Sequence, residues 1–146
     1  FIANSFSCRI DKGTHKGVDT LARAMRKISN NNFKPCFALK CDIRKFFEGV
    51  DHNILTNILR RRIKDSDVCW LLEEVVESYV SANSNLFERR GVPIGNLTSQ
   101  LFANVYLNEF DQFVKHSLKV KYYCRYTDDF VIVSDGRYPF LKTRFL

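Results

Sequence analysis

Two adjacent acids, Asp128 and Asp129, stand between an aromatic-rich run at 121–126 and a β-branched run at 130–133. Both flanks favour strands, so the pair is expected at or beside the turn of a β-hairpin. Carboxylates held side by side at a rigid turn repel each other strongly unless a cation neutralises them. A third acid, Asp42, closes another apolar, strand-like run at 36–42. Three carboxylates on neighbouring strands, in a chain of net charge +7, point to a two-Mg²⁺ site that handles phosphates. Taken singly, each acid has a plainer reading. An Asp-Asp pair is often a solvated turn, and an acid just past a strand often caps the next helix. The combination carries the case.

Composition narrows the partners. The chain has 146 residues, 45% of them hydrophobic, enough for one core that thirteen Phe make bulky. Lys and Arg outnumber Asp and Glu by 23 to 16, and the pI is near 9.3. That excess fits a polyanionic partner, and by itself would equally fit an acidic membrane surface. No apolar run approaches the roughly 18 residues needed to span a bilayer, and no basic-then-apolar leader opens the chain, so no membrane partner is expected. The sequence starts at Phe1 and stops at Leu146 soon after a strand-like run, so both ends are expected to be cut. The five Cys, at 8, 36, 41, 69 and 124, have no C-x-x-C spacing. Zinc is not expected, and a reducing cytoplasm is the simpler setting. His15, His52 and His116 share no ligand spacing. Asn96-Leu97-Thr98 matches a glycosylation sequon, but nothing else points to secretion and it is set aside.

The elements that must position the acids follow from periodicity. Thr14 can cap a helix whose apolar positions Val18, Leu21, Ala22, Met25 and Ile28 are helically spaced, with Asn30-Asn31-Asn32 ending it. After the 36–42 strand and a tight segment at 43–50, Asp51 caps a second helix with Ile54, Leu55, Ile58, Leu59 and Ile63 on one side. Arg60-Arg61-Arg62 at its end suits the helix dipole at least as well as a phosphate. Ser66 begins a third helix reaching Val80, with Trp70, Leu71, Val75, Val76 and Tyr79 as its core face. A polar break at 81–85 is a hairpin tip or a flexible loop. The longest helix starts near Thr98 or Ser99 and runs to about Ser117, with Leu101, Phe102, Val105, Tyr106, Phe110, Phe113 and Val114 on its apolar face. The order is helix, strand, helix, helix, loop, long helix, hairpin. It predicts an α+β fold with a small antiparallel sheet covered by helices on one side.

Together, Asp42, the 91–100 segment with its helix, and Tyr126-Thr127-Asp128-Asp129 resemble the palm of a reverse transcriptase, over nearly the whole chain and in the expected order. Ser5-Phe6-Ser7-Cys8-Arg9 with Gly13-Thr14-His15-Lys16 resembles the segment that leads from fingers to palm in bacterial reverse transcriptases. Ala38-Leu39-Lys40-Cys41-Asp42-Ile43-Arg44-Lys45-Phe46-Phe47 resembles the strand carrying the first catalytic Asp. Gly91-Val92-Pro93-Ile94-Gly95-Asn96-Leu97-Thr98-Ser99-Gln100 resembles the loop and helix start that cradle template and incoming nucleotide. Most reverse transcriptases carry Pro-Gln-Gly in that loop and Ser-Pro at the helix start, where this chain has Pro93-Ile94-Gly95 and Ser99-Gln100. That departure is similar to the enzymes of diversity-generating retroelements, which copy a template RNA with frequent errors at adenine. Group II intron, retron and phage-defence enzymes are similar elsewhere and fit this loop less well.

The resemblance implies a polymerase palm plus the end of the fingers, with about 1–35 leading from fingers to palm and 36–146 mostly palm. Early fingers would precede Phe1, and the primer grip and thumb would follow Leu146, so this fragment alone is expected to be inactive. It implies an RNA-directed DNA polymerase that joins dNTPs to a primer 3′-OH, with RNA template, DNA or RNA primer and an accessory RNA-binding protein as partners. Asp42 and Asp128 would bind both Mg²⁺ ions, for which Mn²⁺ can substitute; Asp129 would be the peripheral carboxylate and the Ile43 carbonyl a further ligand. Phe47, five residues past Asp42, would lie against the sugar and exclude a 2′-OH, unless it is simply core beside Phe46. Ile94 cannot make the hydrogen bonds that a Gln would make around the nascent pair, so it would loosen selection, unless it is a core residue in that loop. Gly95 belongs to the same nucleotide-binding loop. Ser99 and Gln100 would contact the template, although Thr98 or Ser99 is also a good N-cap. Arg9, Lys12, Lys16, Arg89 and Arg90 are either phosphate contacts or solvated charge. Tyr126 is expected to pack under the turn. The rival readings are a group II intron or retron/defence enzyme, and a non-catalytic RNA-binding remnant, against which three closely placed carboxylates argue.

Overall fold

The computed structural model describes residues 1–82, 84 and 89–136. The elements are α1 (Thr14–Ser29), β1 (Phe37–Cys41), α2 (Phe46–Gly49), α3 (His52–Arg62), α4 (Ser66–Glu77), α5 (Leu97–Gln112), a π-helical turn (Phe113–Ser117), β2 (Tyr122–Tyr126) and β3 (Asp129–Ser134). This is the order expected from periodicity, with α2 added inside the tight segment at 43–50. Of the expected break at 81–85 and the residues 86–88 after it, most lie outside the described residues. None of the helices is long and apolar enough to cross a membrane, among the described residues. The chain divides into two compact units. One joins Phe1–Asp42 to the chain from Asp111 onward, and the other is Ile43–Phe110.

The first unit is built on a three-stranded sheet in the order β1-β3-β2, with both pairings antiparallel. The outer edge of β2 is covered by the N-terminal segment: Phe6 N donates to Arg125 O at 3.0 Å and Arg125 N to Asn4 O at 3.0 Å. Covering an edge this way removes a template for unwanted pairing. Helix α1 packs against β2 and β3. Its N-cap is Gly13, at φ 104°, and not Thr14, which lies inside the helix and makes no capping bond. Only glycine reaches that backbone conformation without strain, so the backbone decides the start and not the hydroxyl. Asn30, Asn31 and Asn32 end α1 in left-handed conformations, with the Ser29 hydroxyl accepting from Asn32 N at 2.9 Å. Of the helically spaced apolar positions, Val18 and Met25 are exposed, while Ala24, outside that set, is buried.

The second unit is held by hydrocarbon. Phe46, Val50, Leu55, Leu59, Val76, Val92, Phe102, Ala103 and Leu107 form one buried cluster. Asp51 caps α3 as expected, its carboxylate accepting from Ile54 N at 3.1 Å. The buried face of α4 differs from expectation: Val76 is buried, but Trp70 and Leu71 are 62% and 56% exposed, and Val75 and Tyr79 are also exposed. The helix carries apolar residues on more than one stripe, and the cluster takes the one containing Leu72 and Val76. It ends at Glu77, short of Val80. Ile54 and Leu101 are likewise exposed, as is Phe113 in the first unit. The N-terminus of α5 is held by Asn96, whose side chain accepts from Thr98 N at 3.4 Å, rather than by Thr98 or Ser99.

Candidate active site

In the first unit the topology brings the three acids to one end of the sheet. Central strand β3 opens at Asp129, and a two-residue turn, Thr127-Asp128, joins it to β2 through the pair Tyr126↔Asp129. On the other side, β1 ends with Cys41 opposite Phe130, so the next step of the register carries Asp42 toward Asp129. Lys40 Nζ lies 3.4 Å from Asp129 Oδ1, a solvent-exposed pair of small energetic weight. Neither Asp42 nor Asp128 forms an ion pair among the described residues. Burial pushes the Asp128 carboxyl above its ordinary range, and repulsion from Asp42 and Asp129 adds to this against the lowering by its own backbone hydrogen bond and Arg125.

The three carboxylates share an environment without forming a closed cage. No three His, Cys, Asp or Glu side chains stand close enough to hold a metal together, among the described residues. The donor set nevertheless suits a hard divalent cation, which prefers carboxylate oxygen.

Thr127 sits at φ 55°, in the left-handed region that β-branched residues avoid. The conformation is held from both sides: Arg125 Nη1 donates to Thr127 O at 2.7 Å, and Thr127 Oγ1 to Ser7 Oγ at 2.9 Å. Behind the turn the Arg125 side chain is fully buried against Asp111, with Nε to Oδ1 at 2.8 Å and Nη2 to Oδ2 at 2.7 Å. Tyr123 Oη donates to Asp111 Oδ1 at 2.7 Å, and burial followed by the Asp111 charge pushes its hydroxyl far above the ordinary tyrosine range. Tyr126, expected beneath the turn, is 44% exposed, because strand alternation puts Arg125 on the covered face. Neither Arg125 nor Asp111 is singled out by motif spacing. The signal available was a lone Arg alternating with Tyr123, and an Asp between Leu107 and Val114 on one helical stripe.

Basic residues near the N-terminus divide. Arg9 Nη1 donates to the carbonyls of Ile2 and Ser5 at 2.6 and 2.9 Å, and Lys12 Nζ to Ala3 O at 2.8 Å, so both ammonium and guanidinium serve the local fold. Lys16 is exposed and lines an open cavity with Arg23 and Arg26.

The second unit holds the residues expected at the nucleotide. Phe47 is half-buried, edge-on to Phe46 at 5.4 Å, and its carbonyl accepts from Val92 N at 2.8 Å. Gly91 N donates to Val50 O at 2.8 Å, and the buried His52 ring bonds Gly91 O at 2.7 Å. Gly91 needs its φ of +105°, and a Cβ there would stand 2.8 Å from Ser81 Cβ. The segment with Phe47 and the loop leading to Ile94 are thus tied together. Ile94 is 78% exposed, which rules out the core reading for it. Gly95, at φ +88°, faces open space, Ser99 is buried, and Gln100 is half-buried with its backbone N–H donating to Asn96 O at 3.2 Å. The Ile43 carbonyl accepts from Phe46 N at 3.2 Å, which leaves one lone pair. Arg89 is paired with Glu77 at 2.8 Å.

Residues 2–144 match the family model described as reverse transcriptase (RNA-dependent DNA polymerase). The chain belongs to the reverse transcriptase family. Protein YkfC of Escherichia coli is 24% identical over 90% of this chain and 42% of its own length. The Group II intron-encoded protein LtrA of Lactococcus lactis is 33% identical over 56% of this chain and 14% of its own length. The Putative COX1/OXI3 intron 2 protein of Saccharomyces cerevisiae is 31% identical over 56% of this chain and 10% of its own length. The chain therefore spans less than half the length of each of these curated relatives. Its mixed helices and three-stranded antiparallel sheet agree with a reverse-transcriptase palm, and two of these three relatives are named as intron proteins.

Proposed function

We propose that this chain is the palm of an RNA-directed DNA polymerase that extends a primer 3′-OH with dNTPs on an RNA template. The observation that carries this is the convergence of Asp42, Asp128 and Asp129 at one end of the sheet in a member of the reverse transcriptase family. Asp42 and Asp128 would hold two Mg²⁺ ions, or Mn²⁺ in their place, with Asp129 peripheral and the Ile43 carbonyl as a further ligand. When bound, such ions lower the pKa of the primer hydroxyl and neutralise the triphosphate. The Phe47 ring occupies the volume of a ribose 2′-OH, and Gly95 lets the backbone approach the nucleotide closely. Lys16 and the half-buried Gln100 are the candidate contacts to phosphates and template; Ser99, which is buried, and Arg9, whose guanidinium is engaged by the Ile2 and Ser5 carbonyls, are not placed to make them. The same reading includes the fingers-to-palm assignment of 1–35, a DNA or RNA primer, an accessory RNA-binding protein and a cytoplasmic setting, which the free cysteines support.

For subtype, two observations compete. Ile94 and Ser99-Gln100 favour an error-prone, diversity-generating retroelement enzyme, since an exposed Ile offers no hydrogen bond to police the nascent pair. The name of LtrA, a group II intron-encoded protein, favours a group II intron type, and that of the yeast protein an intron type. The reading is tested by primer extension with the full-length protein. Asp42→Asn and Asp128→Asn should each reduce extension by roughly 10³-fold or more while leaving RNA binding intact, since each removes charge stabilisation at the reacting phosphate. Near-normal extension by either variant would overturn the site.

A further inference from the structure

We propose that the buried Arg125–Asp111 pair is a positioning device that fixes the carboxylate-bearing turn, an inference that rests on the polymerase reading above. Arg125 and Asp111 are each wholly buried. Removing two charges from water gains little stability by itself, and an apolar pair of similar volume usually serves as well or better. What an apolar pair cannot supply is a donor at a set place. Asp111 engages Nε and Nη2 of the rigid guanidinium in a two-pronged grip, and Nη2 also reaches Ser5 Oγ at 3.3 Å. With those two nitrogens held, the planar fork directs Nη1 to one point, and there it meets Thr127 O at 2.7 Å. Thr127 is the one β-branched residue at positive φ among the described residues, at φ 55°, and it immediately precedes Asp128. Strained backbone persists only where its surroundings over-determine it. Tyr123 and Ser7 complete the determination, one through Asp111 and the other through the Thr127 hydroxyl. Neither Arg125 nor Asp111 has to touch substrate. Both act through the turn.

Three variants of the full-length protein test this: Asp111→Leu/Arg125→Met, Asp111→Asn and Arg125→Lys. Each is read by thermal melting, by Mn²⁺ affinity from electron paramagnetic resonance without nucleic acid, and by kcat and KM on a primed RNA template. The charge-free double variant should melt near the wild type. Its Mn²⁺ affinity should fall roughly 10- to 100-fold, as when the supporting partner of a ligand is lost. Its kcat should fall roughly 10²-fold with KM for primer–template unchanged, the signature of a small misplacement. Arg125→Lys keeps the charge but loses the fork, and should show the same split. A folded double variant, or Arg125→Lys, with wild-type kcat and Mn²⁺ affinity would overturn the proposal. So would a set in which every variant merely unfolds, because the pair would then be structural only. A wild-type protein that binds Mn²⁺ yet extends no primer would sink the polymerase reading and leave this inference standing, provided the variants weaken Mn²⁺. A wild type that binds no Mn²⁺ would sink both.

Discussion

The first compact unit holds its candidate residues with buried charge, whereas the second holds its own with buried hydrocarbon. Behind the Thr127-Asp128 turn stand Arg125, Asp111, Tyr123 and two serines, all buried and hydrogen-bonded. Behind Phe47 and the loop to Ile94 stand Phe46, Val50, Leu55, Val92 and Phe102. The contrast fits the role proposed for each. A turn carrying clustered carboxylates has to be fixed in direction, and hydrogen bonds are directional. A surface that accepts a sugar and a base pair has to be fixed in shape, and close packing does that.

That contrast can be broken from the hydrocarbon side first. Leu55 is wholly buried in the cluster, so Leu55→Ala should cost about 2–5 kcal/mol of stability, measured by denaturant unfolding. A cost near zero would mean that the second unit is not held by its core. Next in size is sugar choice. Phe47→Ala should admit ribonucleotides, shifting selection between dCTP and rCTP by about 1–3 kcal/mol, or roughly 10- to 200-fold. Phe47 is only half-buried, so the variant should stay folded; unchanged selection in a folded protein would return Phe47 to the core.

The smallest effect sharpens the comparison most. Ile94→Gln should lower misincorporation opposite template adenine more than opposite other bases, by about 1–2 kcal/mol or roughly 5- to 30-fold, the worth of one regained hydrogen bond. Since Ile94 is exposed, no loss of folding should accompany it. Single-nucleotide extension scoring correct and incorrect dNTPs separately reads the ratio. Slower synthesis at an unchanged error ratio would remove the residue-level support for the diversity-generating subtype and leave the intron type.

Much of the site was legible because its signals are local. The acids announced themselves as paired carboxylates between strand-forming runs, and Asp51 as a helix cap, since both depend on near neighbours in the chain. Faces were less legible. Trp70 and Leu71 on α4, and Val18 and Met25 on α1, sit at helical spacing yet face outward, because a helix with apolar residues on several stripes does not declare which one a distant cluster will cover. The start of α1 differs from the local expectation for a related reason: Thr14 has capping chemistry, but Gly13 supplies the φ of 104° that the chain requires there.

By itself the sequence determined the order of elements, the hairpin with its two acids and the family, because periodicity, turn chemistry and motif spacing are properties of short stretches. Only the tertiary structure decided that Arg125 would meet Asp111, fourteen residues away, that Ser7 would reach Thr127 across 120 residues, and that Ile94 would stand exposed. A buried charge is tolerable only where its partner arrives from elsewhere in the fold, and no local pattern records that arrival.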